Sequence, residues 1–143
     1  MVEIIRVSDS SSDLLDGINR LLPQLDTNAP LMTTSDIDTL LAGGASCMLV
    51  AKHAEKICGM ITVVCYDSPT GRKARIEDLV IDNSARGLGA GRALLEAGIE
   101  LAREIGATAL ELTSRPSRIA ANKLYQTSGF ELRETNVYRM NLK

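Results

Sequence analysis

The chain has 143 residues, 45% of them hydrophobic, with 16 Lys and Arg against 18 Asp and Glu for a formal charge of −2. That length predicts one domain, residues 1–143, able to bury about 70% of its unfolded surface without disulfides or a structural metal. One Phe, three Tyr and no Trp exclude an aromatic platform for single-stranded nucleic acid, and the near-neutral charge gives no general pull toward nucleic acid or an anionic membrane.

In chain order, residues 4–7 read as a first strand, closed by the serine-rich stretch 8–12. Leu14, Leu15, Ile18, Leu21, Leu22 and Leu25 then recur at helical spacing, and Pro23 is expected to end or kink that helix. After a loop, a second helix is expected to start with Thr34 or Ser35 as its cap, turn Ile37, Leu40 and Leu41 inward, and stop at Gly43 and Gly44. The period then changes. Residues 47–52 and 56–65 are β-branched apolar runs joined by His53, Ala54 and Glu55, which predicts a β-hairpin. A turn at Pro69, Thr70 and Gly71 leads into a strand over 73–81.

The longest helix is expected over 89–105, with Ala90, Ala93, Leu94, Ala97, Leu101 and Ile105 as its apolar stripe and Gly106 as its stop. A strand over 109–113, a short helix over 119–127, and two strands within 130–142 turning near Thr135 and Asn136 complete the chain. This order predicts a single α/β (α+β) domain with a mixed central sheet of about six to seven strands flanked by about four helices.

Cys47, Cys58 and Cys65 form an odd set without a CxxC pair, each in an apolar stretch, and read as buried thiols of a reducing compartment. The chain start lacks a basic segment followed by an apolar one, and no run approaches about 18 consecutive apolar residues, so a cytoplasmic protein with no membrane association is expected. His53 is the only histidine, which leaves neither a Cys–His pair nor a metal-ligand set.

Chemistry concentrates where the strand over 73–81 meets the long helix. Arg86, Gly87, Leu88, Gly89, Ala90, Gly91 and Arg92 put three alternating glycines at a helix start, where unpaired N–H groups and the positive dipole end suit a phosphate. The P-loop pattern is excluded because no Lys-Ser or Lys-Thr follows, and the dinucleotide fingerprint GxGxxG fails from Gly87 and from Gly89. The spacing Arg86-x-x-Gly89-x-Gly91 resembles the pyrophosphate loop of the GNAT family of N-acetyltransferases. The later stretch Asn122-x-x-Tyr125-x-x-x-Gly129-Phe130, which follows a strand end at Leu112 and Thr113, resembles the C-terminal signature of the same family.

The resemblance extends from about Cys47 to Phe130. It implies acetyl-CoA as cosubstrate, a fourth and fifth strand that splay apart to admit the pantetheine arm, and a β-bulge at Leu79, Val80 and Ile81 whose backbone holds that arm. It also implies contacts to the cofactor from Arg86 through Arg92, from Asn122 and from Tyr125. A primary amine, of a small molecule or of a protein, would attack the thioester directly, and a homodimer would be in keeping with the family.

Two roles are implied by chemistry at those positions. Tyr125 is the expected proton donor to the leaving thiolate, because a phenol of reference pKa about 10 can protonate it; the alternative is an ordinary packing aromatic. Glu77 is the leading base, with Asp78 or solvent as the alternatives, since alternation puts the two carboxylates on opposite faces of the strand. Asn122 has the alternative of capping a helix, and Arg115, Arg118 and Lys123 are either 3′-phosphate contacts or solvated charges. Residues 1–71 carry 9 acidic and 4 basic side chains, including Asp13, Asp16, Asp26, Asp36 and Asp38 near the first two helices. They favour a cationic acceptor unless they serve as caps and solvated faces. The competing function is a CoA-binding sensor or protein-interaction module on the same fold, without turnover.

Overall fold

The computed structural model describes residues 1–143. Its elements are β1 (Glu3–Arg6), α1 (Ser12–Leu25), α2 (Thr34–Ala42), β2 (Ser46–His53), β3 (Lys56–Ser68), β4 (Gly71–Ile81), a 3-10 turn (Asn83–Ala85), α3 (Ala90–Glu104), β5 (Leu110–Glu111) and α4 (Ile119–Thr127). The chain divides into two compact units, Met1–Thr113 and Ser114–Lys143.

In the first unit the strands lie in the order β1-β2-β3-β4-β5. Neighbours from β1 to β4 are antiparallel, and β4 pairs with β5 in parallel, so the sheet is mixed as expected. The β2–β3 hairpin turns through Ala54 and Glu55, both at positive φ (50° and 67°), the conformation a two-residue hairpin needs to match strand twist. Cross-strand partners share a face. One face carries Met48, Val50, Met60 and Val80 against Leu14, Ile18 and Leu21 of α1 and Ile37 of α2, all buried. Gly98 lets α3 approach β3: a Cβ there would lie 3.2 Å from Ile61 Cδ1 and 3.5 Å from Val63 Cγ2. Leu94, Leu95, Leu101 and Ala102 of α3 are buried.

Several expectations change. Pro23 neither ends nor visibly breaks α1, because it stands in the last turn and the chain stays helical to Leu25, where Asp26 N bonds Leu22 O. The cap of α2 is Thr33 and not Thr34 or Ser35, since Thr33 and Asp36 form a reciprocal capping box, 3.2 Å to Asp36 N and 2.8 Å back to Thr33 N. The sheet has five strands and not six to seven. Residues 130–143 form neither of the two expected strands, and Leu132, Val137, Tyr138, Met140 and Leu142 are exposed. An alternating pattern supplies a pleated face but no partner, and a two-stranded hairpin alone is marginal in water. Of the three thiols only Cys58 is buried; Cys47 and Cys65 are partly exposed. No helix is long and apolar enough to cross a membrane.

Candidate active site

The strand β4 breaks its pairing with β3 in mid-course. Glu77 faces Thr62 and Val80 faces Met60, so Asp78 and Leu79 together oppose the single residue Ile61. This is a β-bulge, and Asp78 takes the left-handed conformation at φ 54° to make it. The bulge begins one residue before the segment Leu79, Val80 and Ile81 named from the sequence and overlaps it at Leu79. An aspartate tolerates that conformation better than a β-branched residue would, at some cost in strain.

On its other side β4 pairs with β5 only at Ala74 with Leu110 and Arg75 with Glu111. Both residues of β5 are used in that pairing, and from Ile76 to Ile81 no strand lies along that edge, which leaves a row of β4 backbone groups for an extended ligand. Leu79, Val80 and Ile81 stand on this open stretch. Val80 is buried in the core, so its contribution to a ligand is its backbone.

The two carboxylates at the bulge differ in surroundings. Glu77 Oε1 lies 3.3 Å from Arg75 Nε. Both side chains are exposed, yet partial desolvation raises the Asp78 carboxyl above the ordinary aspartate range and the neighbouring Glu77 charge raises it further.

Past β4, Asp82 caps the 3-10 turn. It is 8% exposed, and its Oδ1 accepts from Ser84 N at 3.1 Å and from Ser84 Oγ at 3.0 Å. These bonds, the backbone one first, hold its carboxyl below the usual range. The chain then enters the glycine loop. Gly87 and Gly89 stand at φ 84° and 78°, and a Cβ on either would meet no protein atom within 4 Å, so that side of the loop is open to a ligand. Gly89 is the N-cap of α3 and offers no side chain to the helix start, while Ala90 is buried and Gly91 lies in the first turn. Backbone N–H groups of α3 are therefore left for an anion. Arg86 donates from Nε to Asn83 Oδ1 at 3.1 Å, Leu88 is exposed, and Arg92 stands on the first turn of α3.

Asn122 and Tyr125 belong to the second unit, on α4. Asn122 Nδ2 donates to Arg115 O at 2.9 Å and Arg118 O at 2.8 Å, with Ser114 Oγ at 3.4 Å. Its amide hydrogens thus tie α4 to the turn that precedes it without capping the helix, whose N-cap is Arg118, while Oδ1 keeps its acceptor capacity. Tyr125 is buried and meets Phe130 edge-on at 6.2 Å. Burial raises its phenol above 10, partly offset by the Arg118 charge and a hydrogen bond with Ser114. Ser114 therefore ties the two α4 residues together.

Three of the five aspartates noted near the first helices have local duties. Asp36 closes the α2 capping box, Asp26 accepts from Asn28 N at 2.9 Å, and Asp38 accepts from Ser10 Oγ at 2.7 Å. The sequence reading missed Arg20, Gln24 and Asp82. Asp82-x-Ser84 at a strand end is a legible turn signal, whereas Arg20 meets its partners only through the fold.

The profile of the acetyltransferase (GNAT) family matches residues 17–130. Human N-acetyltransferase 8B is 34% identical over 100 residues, which cover 68% of this chain and 44% of the relative, so the chain spans less than half the length of that protein. An acetyltransferase of Trypanosoma brucei superposes with a TM-score of 0.81 at 26% identity, over 99% of this chain and 100% of the other. A predicted acetyltransferase of Clostridium acetobutylicum solved with acetyl-CoA superposes with a TM-score of 0.76 at 19% identity, over 99% of this chain and 97% of the other, which is a likeness of fold. With its family profile and its relatives in agreement, this chain belongs to the GNAT acetyltransferase family.

Proposed function

We propose that the chain is an acetyl-CoA-dependent N-acetyltransferase, which passes the acetyl group to a primary amine by direct attack in a ternary complex. The observation that carries this reading is the open β4 edge from Ile76 to Ile81, which runs through the 3-10 turn into the glycine loop and the uncapped start of α3. An extended, amide-bearing arm ending in a pyrophosphate fits both features, the arm by strand addition and the anion by helix N–H groups. Acetyl-CoA supplies the acyl group as an activated thioester. The name of the human relative and the acetyl-CoA held by the Clostridium protein support the choice of cosubstrate and reaction.

The roles fall to residues of the chain as follows. Gly87, Leu88, Gly89, Ala90 and Gly91 present backbone N–H groups to the pyrophosphate, with Arg86 and Arg92 adding charge. Backbone groups of Leu79, Val80 and Ile81 hold the arm, and Asn122 Oδ1 is a further contact. Tyr125 gives its proton to the departing sulfur; its raised phenol is protonated throughout the neutral range. A carboxylate at the bulge takes the proton of the incoming ammonium. Glu77 is the candidate the sequence favours, and its pairing with Arg75 together with the raised carboxyl of Asp78 supports Asp78 in that role. The acceptor is an amine of a small molecule or of a protein.

The test is a calorimetric titration of the purified chain with acetyl-CoA, beside Gly89→Glu, which sets a carboxylate in the anion site. Micromolar binding that the variant loses, followed by CoA release on screening amines, is the expected result. Absence of binding by the folded wild-type chain overturns the reading.

A further inference from the structure

The start of the glycine loop is fastened to α1. Arg20, on α1, donates from Nη2 to the carbonyl of Ile57 at the beginning of β3. Its Nε lies 3.5 Å from Asp82 Oδ2. One helical turn on, Gln24 Oε1 accepts from Asn83 N at 2.9 Å, while Gln24 Nε2 returns to Arg20 O at 3.3 Å. Asn83 in turn receives Arg86 Nε on its Oδ1 at 3.1 Å. Asp82 N bonds Cys58 O at 2.8 Å, so the same aspartate is tied to β3 by its backbone and to α1 by its side chain.

These bonds converge on the residues that set the direction in which the chain leaves β4. Asp82 is nearly buried: its Oδ1 accepts from Ser84 N–H and the Ser84 hydroxyl, while its Oδ2 is ion-paired with the Arg20 guanidinium, whose Nε makes no hydrogen bond. Carboxylate bonds of this kind are strong and directional where water is mostly excluded. Gly87 and Gly89 have no side chains with which to fix the loop themselves, and their left-handed backbone meets no protein atom on its open side. The loop is therefore oriented from its two ends, by its entrance at Asp82 and Asn83 and by its exit at Ala90, buried at the start of α3.

We propose that Arg20 and Gln24 of α1 are positioning residues for the phosphate site, holding Asp82 and Asn83 so that the N–H groups of the glycine loop converge on an anion before it binds. This rests on the reading of that loop as the acetyl-CoA site. Preorganisation of this type lowers the ordering cost of binding, and a displacement of about 1 Å at such a site is enough for large losses.

The test titrates the full chain with acetyl-CoA in wild type, Arg20→Gln, Asp82→Asn, the double variant and Gln24→Ala, with a thermal midpoint for each. About tenfold weaker binding is expected for each of the first two variants. The double variant should be no weaker than the worse single one, because both remove one device. Gln24→Ala, which deletes the two hydrogen bonds of an exposed side chain, should weaken binding about threefold with its midpoint nearly unchanged. A midpoint that falls while affinity stays at the wild-type value means the bridge serves stability alone and overturns the proposal. If Arg20→Gln does not fold, Gln24→Ala decides: unchanged affinity overturns, weakened affinity supports. A wild-type chain that does not bind acetyl-CoA removes the cofactor reading and the proposal with it, whereas wild-type binding with indifferent variants removes only the proposal.

Discussion

Asp78 follows Glu77 at the β4 bulge, and the charge of Glu77 adds to partial desolvation in raising the Asp78 carboxyl. Arg75 stands 3.3 Å from Glu77, so one carboxylate of the pair is matched by a cation while the other holds its proton to higher pH. A general base must be deprotonated, so kcat/KM should fall on the acid side at a pH above the ordinary aspartate value of about 3.9. Asp78→Asn should lower kcat about 100-fold and remove that limb. Asn accepts the left-handed backbone, which keeps the bulge. Glu77→Gln should leave the rate within a few-fold and move the limb to lower pH, because one of the two causes of the shift is gone. The reverse pattern in the two pH profiles would assign the base to Glu77.

Tyr125→Phe tests the donor. The ring contact with Phe130 survives the change and only the hydroxyl is lost. With the phenol raised above 10, the wild-type donor stays protonated across the neutral range, so the loss should be similar at every pH below about 9. The expected result is a fall in kcat of about 100-fold with acetyl-CoA affinity nearly unchanged. Transfer at the wild-type rate would mean that Tyr125 is a packing residue.

Gly89 separates backbone strain from a blocked site. At φ 78° an alanine costs about 1–2 kcal/mol, whereas asparagine occupies that region more readily. A side chain here meets no protein atom and projects into the open space of the loop. Gly89→Asn should therefore unfold at nearly the wild-type denaturant concentration and bind acetyl-CoA at least tenfold more weakly. Equal binding would show that the open side of Gly89 does not face the ligand.

What the sequence made legible followed from local physics. The 3.6 period of α3, the left-handed stop at Gly106 and the arrest of α2 at Gly43 need only neighbouring residues, and all appear. The expected cap of α2, Thr34 or Ser35, gives way to Thr33, a residue as able to cap as either; only the return bond of Asp36, three positions on from Thr33, singles it out. The bulge was placed one residue late, because register depends on which residue of β3 stands opposite, and Ile61 is far away in the chain. The bridge from Arg20 to Asp82 was invisible for the same reason. The strands expected after Phe130 had the alternation but not the partner.

Asp82 should make stability fall in acid. Its folded carboxyl lies below the usual range, so its contribution is fully present above the unfolded value of about 3.9 and is lost as pH drops through the folded one. Asp82→Asn should cost about 1–3 kcal/mol at pH 7. The gap between variant and wild type should shrink as pH falls from about 5 to about 2. Urea unfolding at several pH values checks this, and a gap independent of pH would mean that the carboxylate charge contributes nothing.

Gly17 sets helix propensity against packing. It lies on the buried side of α1, and a Cβ there would come within 2.9 Å of Ile57 Cβ and Cδ1. Alanine gains about 1 kcal/mol of helix propensity over glycine. The contact is closer than carbon atoms tolerate, and Ile57, 5% exposed, has little room to move. Overpacking of this kind costs about 1–3 kcal/mol, more than the propensity returns. Gly17→Ala should therefore be destabilised by about 1 kcal/mol net. Ile57→Val removes the Cδ1 methyl, one of the atoms in the clash, while leaving Cβ in place. The double variant should recover part of the loss, and a purely additive double variant would show that the helix shifts as a whole to relieve the contact.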